Sequence, residues 1–446
     1  MSTIPTEQTL QGDRPQQATV QAQNERPERR TTDMVRQLQQ LVVDNEQSID
    51  GNRVDFLSNV AHAFERSPQL QQVSSVDLRR GFDIQGYLWR GQEEHKRLYM
   101  EYRRSVYPRF QGIPHNTLDV QRHARAMTGG EFFRFRFSQL GDAVRSQISH
   151  FQLRDLIWPT SSYDVFFWHA KGLQRWNPWQ KTVECVLESR WMPQSFKISA
   201  LCVNNGVAVA GDHRGRLCVQ SLWGDRGRWP AEINLGADII SHIAPANSLS
   251  PASVLVAHNA GAMHTVDLEH MQAADSRTFP WAVNSCAQAR DGSHMQCVVG
   301  DDTSGQLLDS RMSSSVVSLL GGHQDYIFAC DFSPDSRIVA TGCQDSAVRI
   351  FDLRWTAAPV EVMCGNLGAM RSVRFSGCGR FLVAAEPADY VHVWETAGFG
   401  RSQVIEVMGE VAGAAFSPDS QCLFVGVADA LHGCALAEFT ALDHPF

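Results

Sequence analysis

Four acidic residues, Asp267, Asp309, Asp352 and Glu395, each close a short run of β-forming residues, at successive intervals of 42, 43 and 43 residues. The turn ahead of each run carries a second landmark, Asn259, Asp302, Asp345 and Asp389, continued at Asp429. A third is an aromatic-serine pair at Phe332-Ser333, Phe375-Ser376 and Phe416-Ser417, at intervals of 43 and 41. Three independent landmarks on one period mean one supersecondary unit repeated along the chain. The clearest copy begins at Gly322-His323. It runs through a strand at Tyr326–Phe332, the turn Ser333-Pro334-Asp335-Ser336, a strand at Arg337–Gly342, a turn at Asp345 and a strand at Ala347–Phe351. Proline presets φ in such a turn, and the Asp side chain bonds its own backbone. A unit this small cannot bury both its faces, so copies must stack on one another.

A period of about 40–45 residues built from four short strands is the length of the WD40 repeat. Weaker early copies fall on the same grid, at Asp164 before Val165–His169 and at Asp212 before Leu217–Gln220. The fold expected is therefore all-β, a WD40 β-propeller of seven blades at about 151–190, 195–235, 236–280, 281–322, 323–364, 365–407 and 408–446. The last unit is short of an outer strand. Glu131–Phe137 alternates aromatic and charged residues as a half-buried strand does, so residues 132–151 are expected to supply it. In WD repeats a buried His, Ser/Thr, Asp and Trp are hydrogen-bonded together. His323, Thr341 and Asp345 match that set, with Phe351 in the Trp position; the next blade keeps Trp394 but has Gly365-Asn366 for Gly-His. A His–Asp pair at these positions reads as an internal staple, not as acid–base machinery.

The N-terminal third is different. Residues 1–32 are rich in Gln, Thr, Pro and Arg and nearly lack large apolar residues, which predicts a disordered tail. Residues 33–130 read as a helical extension. Met34, Leu38, Leu41 and Val42 mark one amphipathic helix, and Val54, Leu57, Val60, Ala61 and Phe64 a second, ended by Pro68. A charged third helix is expected over Gln92–Val106, stopped by Pro108. The propeller itself spans 131–446.

Several functions are disfavoured. No apolar run is long enough for a membrane span, and the first thirty residues have no apolar core of a signal peptide. The 11 cysteines include no C-x-x-C and sit mostly in apolar runs, as small hydrophobes in a reducing compartment do. Cytosol or nucleus is the expected location; Arg26–Arg30 is a weak nuclear-localisation sequence. Residues 1–150 hold 20 basic and 18 acidic side chains and the remainder 20 and 30, so the propeller is acidic and poorly suited to a nucleic-acid backbone. No phosphate-binding loop, zinc-protease helix or nucleophile elbow occurs, and His and Cys are not at metal-ligand spacing. No enzyme activity, cofactor or metal is expected. Trp168, Trp176, Trp179 and Trp191, with Arg175 and Arg190, sit in strand context that favours packing over base stacking.

What remains is a scaffold that binds partner proteins or peptides through the propeller face and the N-terminal helices. Glu386-Pro387-Ala388-Asp389 lies between two strands, on the face where WD proteins commonly receive partners. It reads either as a rigid turn or as a charged recognition point with Glu386 exposed. Asp302, Asp325, Tyr326, Met370, Arg371 and Glu410 are expected on the same face, and the surplus of acids implies a basic peptide. A second candidate is Phe351-Asp352-Leu353-Arg354. It approximates the W-D-x-R box by which substrate receptors of cullin-4 ubiquitin ligases dock on their adaptor, with Asp309-Ser310-Arg311 as a weaker copy. The competing reading pairs each Arg with its own Asp.

Four short segments go beyond the generic repeat: Asp83-Ile84-Gln85-Gly86, Gln152–Trp158, Phe381–Val393 with Ala385-Glu386-Pro387-Ala388-Asp389, and Phe424–Asp429. Together they resemble a largely uncharacterised family of WD40-repeat, transducin-like proteins of plants and fungi, over residues 77–440. That resemblance implies a propeller with a short N-terminal extension and no enzyme activity. The sequence departs from members with Trp-Asp in the fifth blade, where it has Phe351-Asp352.

Overall fold

The computed structural model describes residues 70–150, 152, 154–222, 230–246, 253–312, 316–429 and 432–442. The first two expected helices lie outside these residues. Seven four-stranded antiparallel sheets follow one another in sequence, each running from an inner to an outer strand. Blade 1 runs from Ile157–Pro159 to Thr182–Glu188, blade 2 from Ile198–Asn204 to Ala231–Asn234, and blade 3 from Ile240–Ala246 to Gln272–Thr278. Blade 4 runs from Val283–Gln288 to Val316–Leu320 and blade 5 from Ile327–Phe332 to Glu361–Cys364. Blade 6 begins at Ser372–Phe375. Its outer strand is the first half of Arg401–Phe416, and the second half of that strand is the inner strand of blade 7. Inner strands neighbour one another around the ring, and the last meets the first.

Burial follows from this stacking. An inner or middle strand has a neighbouring blade on each side, so Ile327–Phe332 and Cys422–Ala428 are buried throughout. Outer strands splay apart, and Gln272–Thr278 is almost wholly exposed. Seven apolar clusters hold the ring, one between each pair of adjacent blades. In the cluster that joins blade 7 to blade 1, Trp176 meets Phe424 edge-on with ring centroids 5.9 Å apart.

The turns explain the period. Ser333, Ser376 and Ser417 each turn their hydroxyl back to accept the amide five residues on, from Ile338, Phe381 and Cys422, at 3.0, 3.0 and 2.9 Å. Ser336 and Ser420, at φ of +54° and +60°, reach sideways instead. Their hydroxyls accept amides of Arg290 and Cys378 in the preceding blades. The conserved spacing of turn chemistry is thus also the spacing of blade-to-blade contacts.

Blade 7 is completed from upstream. Phe133–Leu140 pairs antiparallel with Cys434–Ala441, from Ala435↔Leu140 to Ala441↔Phe133, and Gln72–Ser74 adds a further strand outside it. A bulge at Arg136 lets the strand serve two clusters. Phe133 and Phe135 face blade 6, while Phe137 turns to blade 1 and stacks on Trp176. Between these strands run three helices, α1 (Ser75–Arg79), α2 (Glu93–Val106) and α3 (Thr117–His123). Phe133→Ala would empty a fully buried site and should cost about 3–5 kcal/mol, read as a lower denaturation midpoint. A chain starting at residue 141 should melt well below the full chain; identical melting temperatures would contradict the closing role of this strand.

Candidate functional site

The acidic turns of blades 5 and 6 do not meet solvent. Glu386 is fully buried. Its carboxylate accepts the amides of Asn366, Leu367 and Gly368 at 2.7, 2.6 and 2.6 Å, and lies 2.6 Å from His392 Nε2. His392 stacks on Trp394 at 5.3 Å, with the planes 5° apart. The expectation of an exposed recognition point at Glu386 is therefore wrong. Gly365-Asn366 leaves the blade 6 loop without the His of a WD repeat, and three loop amides converge on the carboxylate instead. Blade 5 has the usual set: His323 Nε2 lies 2.7 Å from Thr341 Oγ1, and Nδ1 lies 3.2 Å from Asp345. Phe351, in the Trp position, is buried without a polar role.

His323, Cys343 and Asp345 also form the one set of metal-type ligand atoms found together among the described residues. Arg349 already fills that place. Its Nη1 lies 2.7 Å from Asp345 and also contacts His323, and the Cys343 thiol donates to the Asp325 carbonyl at 3.2 Å. A guanidinium among the ligands repels a metal cation, so the set reads as a staple.

The other acids of the upper face are covered by the N-terminal extension. Asp389 is buried and held by a two-bond fork from Arg103 of α2, with Nε and Nη2 each at 2.8 Å, and it accepts the Gly409 amide at 2.7 Å. Asp325 is buried under the backbone of the same extension, accepting the amides of Gly112 and Ile113 at 3.0 and 2.9 Å. Gly112 is required there, because a Cβ would lie 2.6 Å from the Tyr326 ring. Gln344 donates to the Phe110 carbonyl at 2.6 Å. Gln85 clamps Met408 from both sides, at 2.8 and 2.6 Å, and Tyr99 meets His432 at 2.8 Å. Met370 and Arg371 are buried as well, and Glu410, half exposed, pairs with Arg154 at 2.9 Å. Asp302 stands apart on blade 4, half-buried, accepting the Ser304 amide. The expected basic peptide thus finds its acids occupied: Arg103 and the backbone of residues 112–113 sit where it would bind.

Sequence reasoning missed Arg103, Arg154 and Gln85 as partners of this face. One signal was present. The four segments that carry the family resemblance converge on this seam, through Asp83–Gly86, Arg154, Glu386 with Asp389, and Asp429. Asp83 itself is an internal clip, accepting the amides of Gln85 and Tyr87 and the Trp89 indole.

On the opposite face, Arg354 is 78% exposed, yet its guanidinium lies on its own Asp352 at 2.5 and 2.9 Å. Arg311 pairs with Asp309 at 2.6 Å in the same way. Trp168 and Trp176 pack in clusters between blades, and Trp191 packs partly. Trp179 differs: it is exposed beside Arg136, at 5.4 Å from the ring centroid. No disulfide joins the described cysteines.

Comparison with known proteins agrees with this geometry. The family described as WD domain, G-beta repeat matches residues 314–352. A chain of a mitotic checkpoint complex crystal structure superposes with a TM-score of 0.58 at 15% identity, covering 72% of this chain and 99% of that one. The fold is that of a WD40 β-propeller. By sequence it is similar to a guanine nucleotide-binding protein β subunit of Zea mays, at 29% identity over 30% of this chain and 33% of the maize protein. It is also similar to a serine-threonine kinase receptor-associated protein of Gallus gallus, at 23% identity over 28% and 35% of the two chains. The matches span about a third of the length of these relatives.

Two outcomes follow from the seam. Arg103→Ala leaves the Asp389 carboxylate buried without its counter-charge and should cost about 3–5 kcal/mol. Limited proteolysis should then cut within residues 90–130 faster than in the wild type. Burial also pushes the imidazoles of His150, His213, His258 and His264 down, His150 from 6.5 to about 4. The unfolded chain then binds more protons than the folded one between these values. This stabilising contribution is present above about pH 6.5 and is lost as pH falls toward 4. Melting temperature should drop between pH 7.5 and 5, and less so in His150→Gln.

Proposed function

We propose that the protein is a non-enzymatic interaction scaffold whose partner docks on the outer wall of blade 4. The observation that carries this is the distribution of the extension. It lies along the outer edges of blades 5, 6 and 7: Arg125 donates to Val362, Thr128-Gly129 pairs with Arg401-Ser402, and Gln72–Ser74 caps blade 7. Of the edges left open, blade 1 ends in Thr-Val-Glu-Cys-Val-Leu-Glu and blade 3 in Gln-Ala-Ala-Asp-Ser-Arg-Thr. Charged residues guard such edges against pairing. Blade 4 ends in Val-Val-Ser-Leu-Leu, with Leu319 56% exposed and Val316, Val317 and Met312 also exposed. Ser318 bonds Thr356 of blade 5, which brings Trp355, 65% exposed, to the same wall. An apolar, unguarded edge strand suits an extended segment of a partner protein, added as one more strand.

A second reading, substrate receptor of a cullin-4 ubiquitin ligase, draws on the exposure of Arg354 and Arg311. It would require both guanidiniums to leave their own aspartates. Affinity purification with mass spectrometry separates the readings. Val317→Lys with Leu319→Glu should keep the fold, because exposed substitutions change stability by about 0.5 kcal/mol or less, and should lose the main partners. Partners retained by that variant would refute the blade 4 wall. Loss of a ligase adaptor on Arg354→Glu alone would establish the receptor reading instead.

A further inference from the structure

On the upper face the buried acids are satisfied, and two arginines are among the side chains left wanting partners. Arg154, just ahead of blade 1, and Arg371, just ahead of blade 6, are both buried. They line one cavity at the mouth of the central channel together with Ser199 of blade 2. Arg154 gives Nη1 to the His150 carbonyl and Nη2 to Glu410. Arg371 gives Nη2 to Gln344 and lies 4.0 Å from the Phe328 ring centroid. Nε of Arg154, Nε and Nη1 of Arg371 and the Ser199 hydroxyl are left buried with no acceptor. Buried donors of this kind are rarely orphaned in a folded protein, and charged ones least of all.

The charge at the mouth is unbalanced in the same sense. Arg371 makes no salt bridge among the described residues. Asp325, the acid nearest it in effect, is taken up by the Gly112 and Ile113 amides and by His115. Asp155 also lines the cavity, but Arg374 holds it at 2.6 Å, with His242 at 3.3 Å and Ser372 at 3.2 Å. The excess is felt by the titrating groups. Burial, reinforced by Arg154, pulls the Arg371 guanidinium down to about 9.

We infer that the mouth of the channel is a binding site for a phosphate-type oxyanion, held between Arg154, Arg371 and Ser199. The donors arrive from three stations around the ring, at blades 1, 2 and 6. Convergence from separate directions suits a tetrahedral anion, whereas a planar carboxylate takes its donors near one plane. Arginine is the side chain best matched to phosphate oxygens. The cavity is small, about 30 Å³, and opens onto the channel, so it can take the oxygens of one phosphate group that face these donors but not a whole nucleotide. A wider stretch of channel of about 260 Å³ adjoins it, sharing Asp155 and His242 in its wall, and leaves room for what the phosphate is attached to. This site is separate from the blade 4 wall, and its test does not depend on that reading.

The test is calorimetric titration and thermal melting of the full chain with inorganic phosphate, O-phosphoserine and acetate at fixed ionic strength. Both phosphates should bind and raise the melting temperature, and acetate should not. Arg371→Gln should weaken phosphate binding roughly tenfold or more, the loss of one or two hydrogen bonds to a charged group. Arg337→Gln, at an arginine exposed on the opposite face, should leave it unchanged. Tighter binding of O-phosphoserine would identify a phosphorylated side chain as the source, and tighter binding of inorganic phosphate a free anion. Should Arg371→Gln fail to fold, Ser199→Ala removes a hydroxyl with no bond in the protein and should still weaken phosphate binding. No binding, equal binding of acetate, or phosphate binding undiminished in both variants would overturn the site.

Discussion

A ring of blades has no stable partial form, because each blade is buried only by its two neighbours. The pairing of Phe133–Leu140 with Cys434–Ala441 completes the blade on which the closed ring depends. Without it, blade 7 lacks its outer strand, and Phe133, Phe135 and Phe137 leave two of the seven clusters. The bulge at Arg136 lets one strand feed both the seam with blade 6 and the seam with blade 1. Closure is therefore not a clasp added to a finished barrel. It is a shared element of two interfaces, and the N-terminal extension belongs to the fold.

That membership reshapes the surface. The extension enters from the closed blade, crosses blades 7, 6 and 5 through α2 and the 107–113 segment, and returns along their outer edges. Along this route it cancels charge with charge. Arg103 takes Asp389 and backbone amides take Asp325, while Glu410 is paired separately by Arg154 ahead of blade 1. A face that is acidic in sequence becomes, once folded, one whose unmatched buried donors include the guanidiniums of Arg154 and Arg371. On the proposed reading, partner recognition falls to blade 4 and the channel rather than to blades 5 to 7.

The repeat was legible because turn chemistry is local. A serine that must accept an amide five residues on, or an aspartate that must hold a loop, recurs wherever the blade recurs. The aromatic and charged alternation of residues 131–137 reads as a strand for the same reason: period two is a property of neighbours. The site was not legible, because its partners are remote. Arg103 and Asp389 are 286 positions apart, and Gly112 and Asp325 are 213 apart. Glu386 shows the difficulty within a single blade. Beside a proline in a polar turn, its carboxylate reads as exposed, yet amides about twenty residues upstream draw it inside. Phe351 and Trp394 occupy equivalent positions, but only the blade with Trp also carries a stacked His392.

The order of synthesis gives the closing strand a long wait. Phe133–Leu140 leaves the ribosome about 300 residues before the strand it must pair with, roughly 15–60 s at ordinary elongation rates. Through that interval three phenylalanines and an unpaired edge are without their native cover, and six complete blades accumulate between the two ends. Loop entropy is a minor obstacle, since closing a longer loop adds only about 0.6 kcal/mol per doubling. Exposure time is the larger one, because an aromatic edge strand is what neighbouring nascent chains pair with. The extension is made first and finished last, so its yield should depend more on what shields residues 133–140 during translation than on the stability of the closed ring.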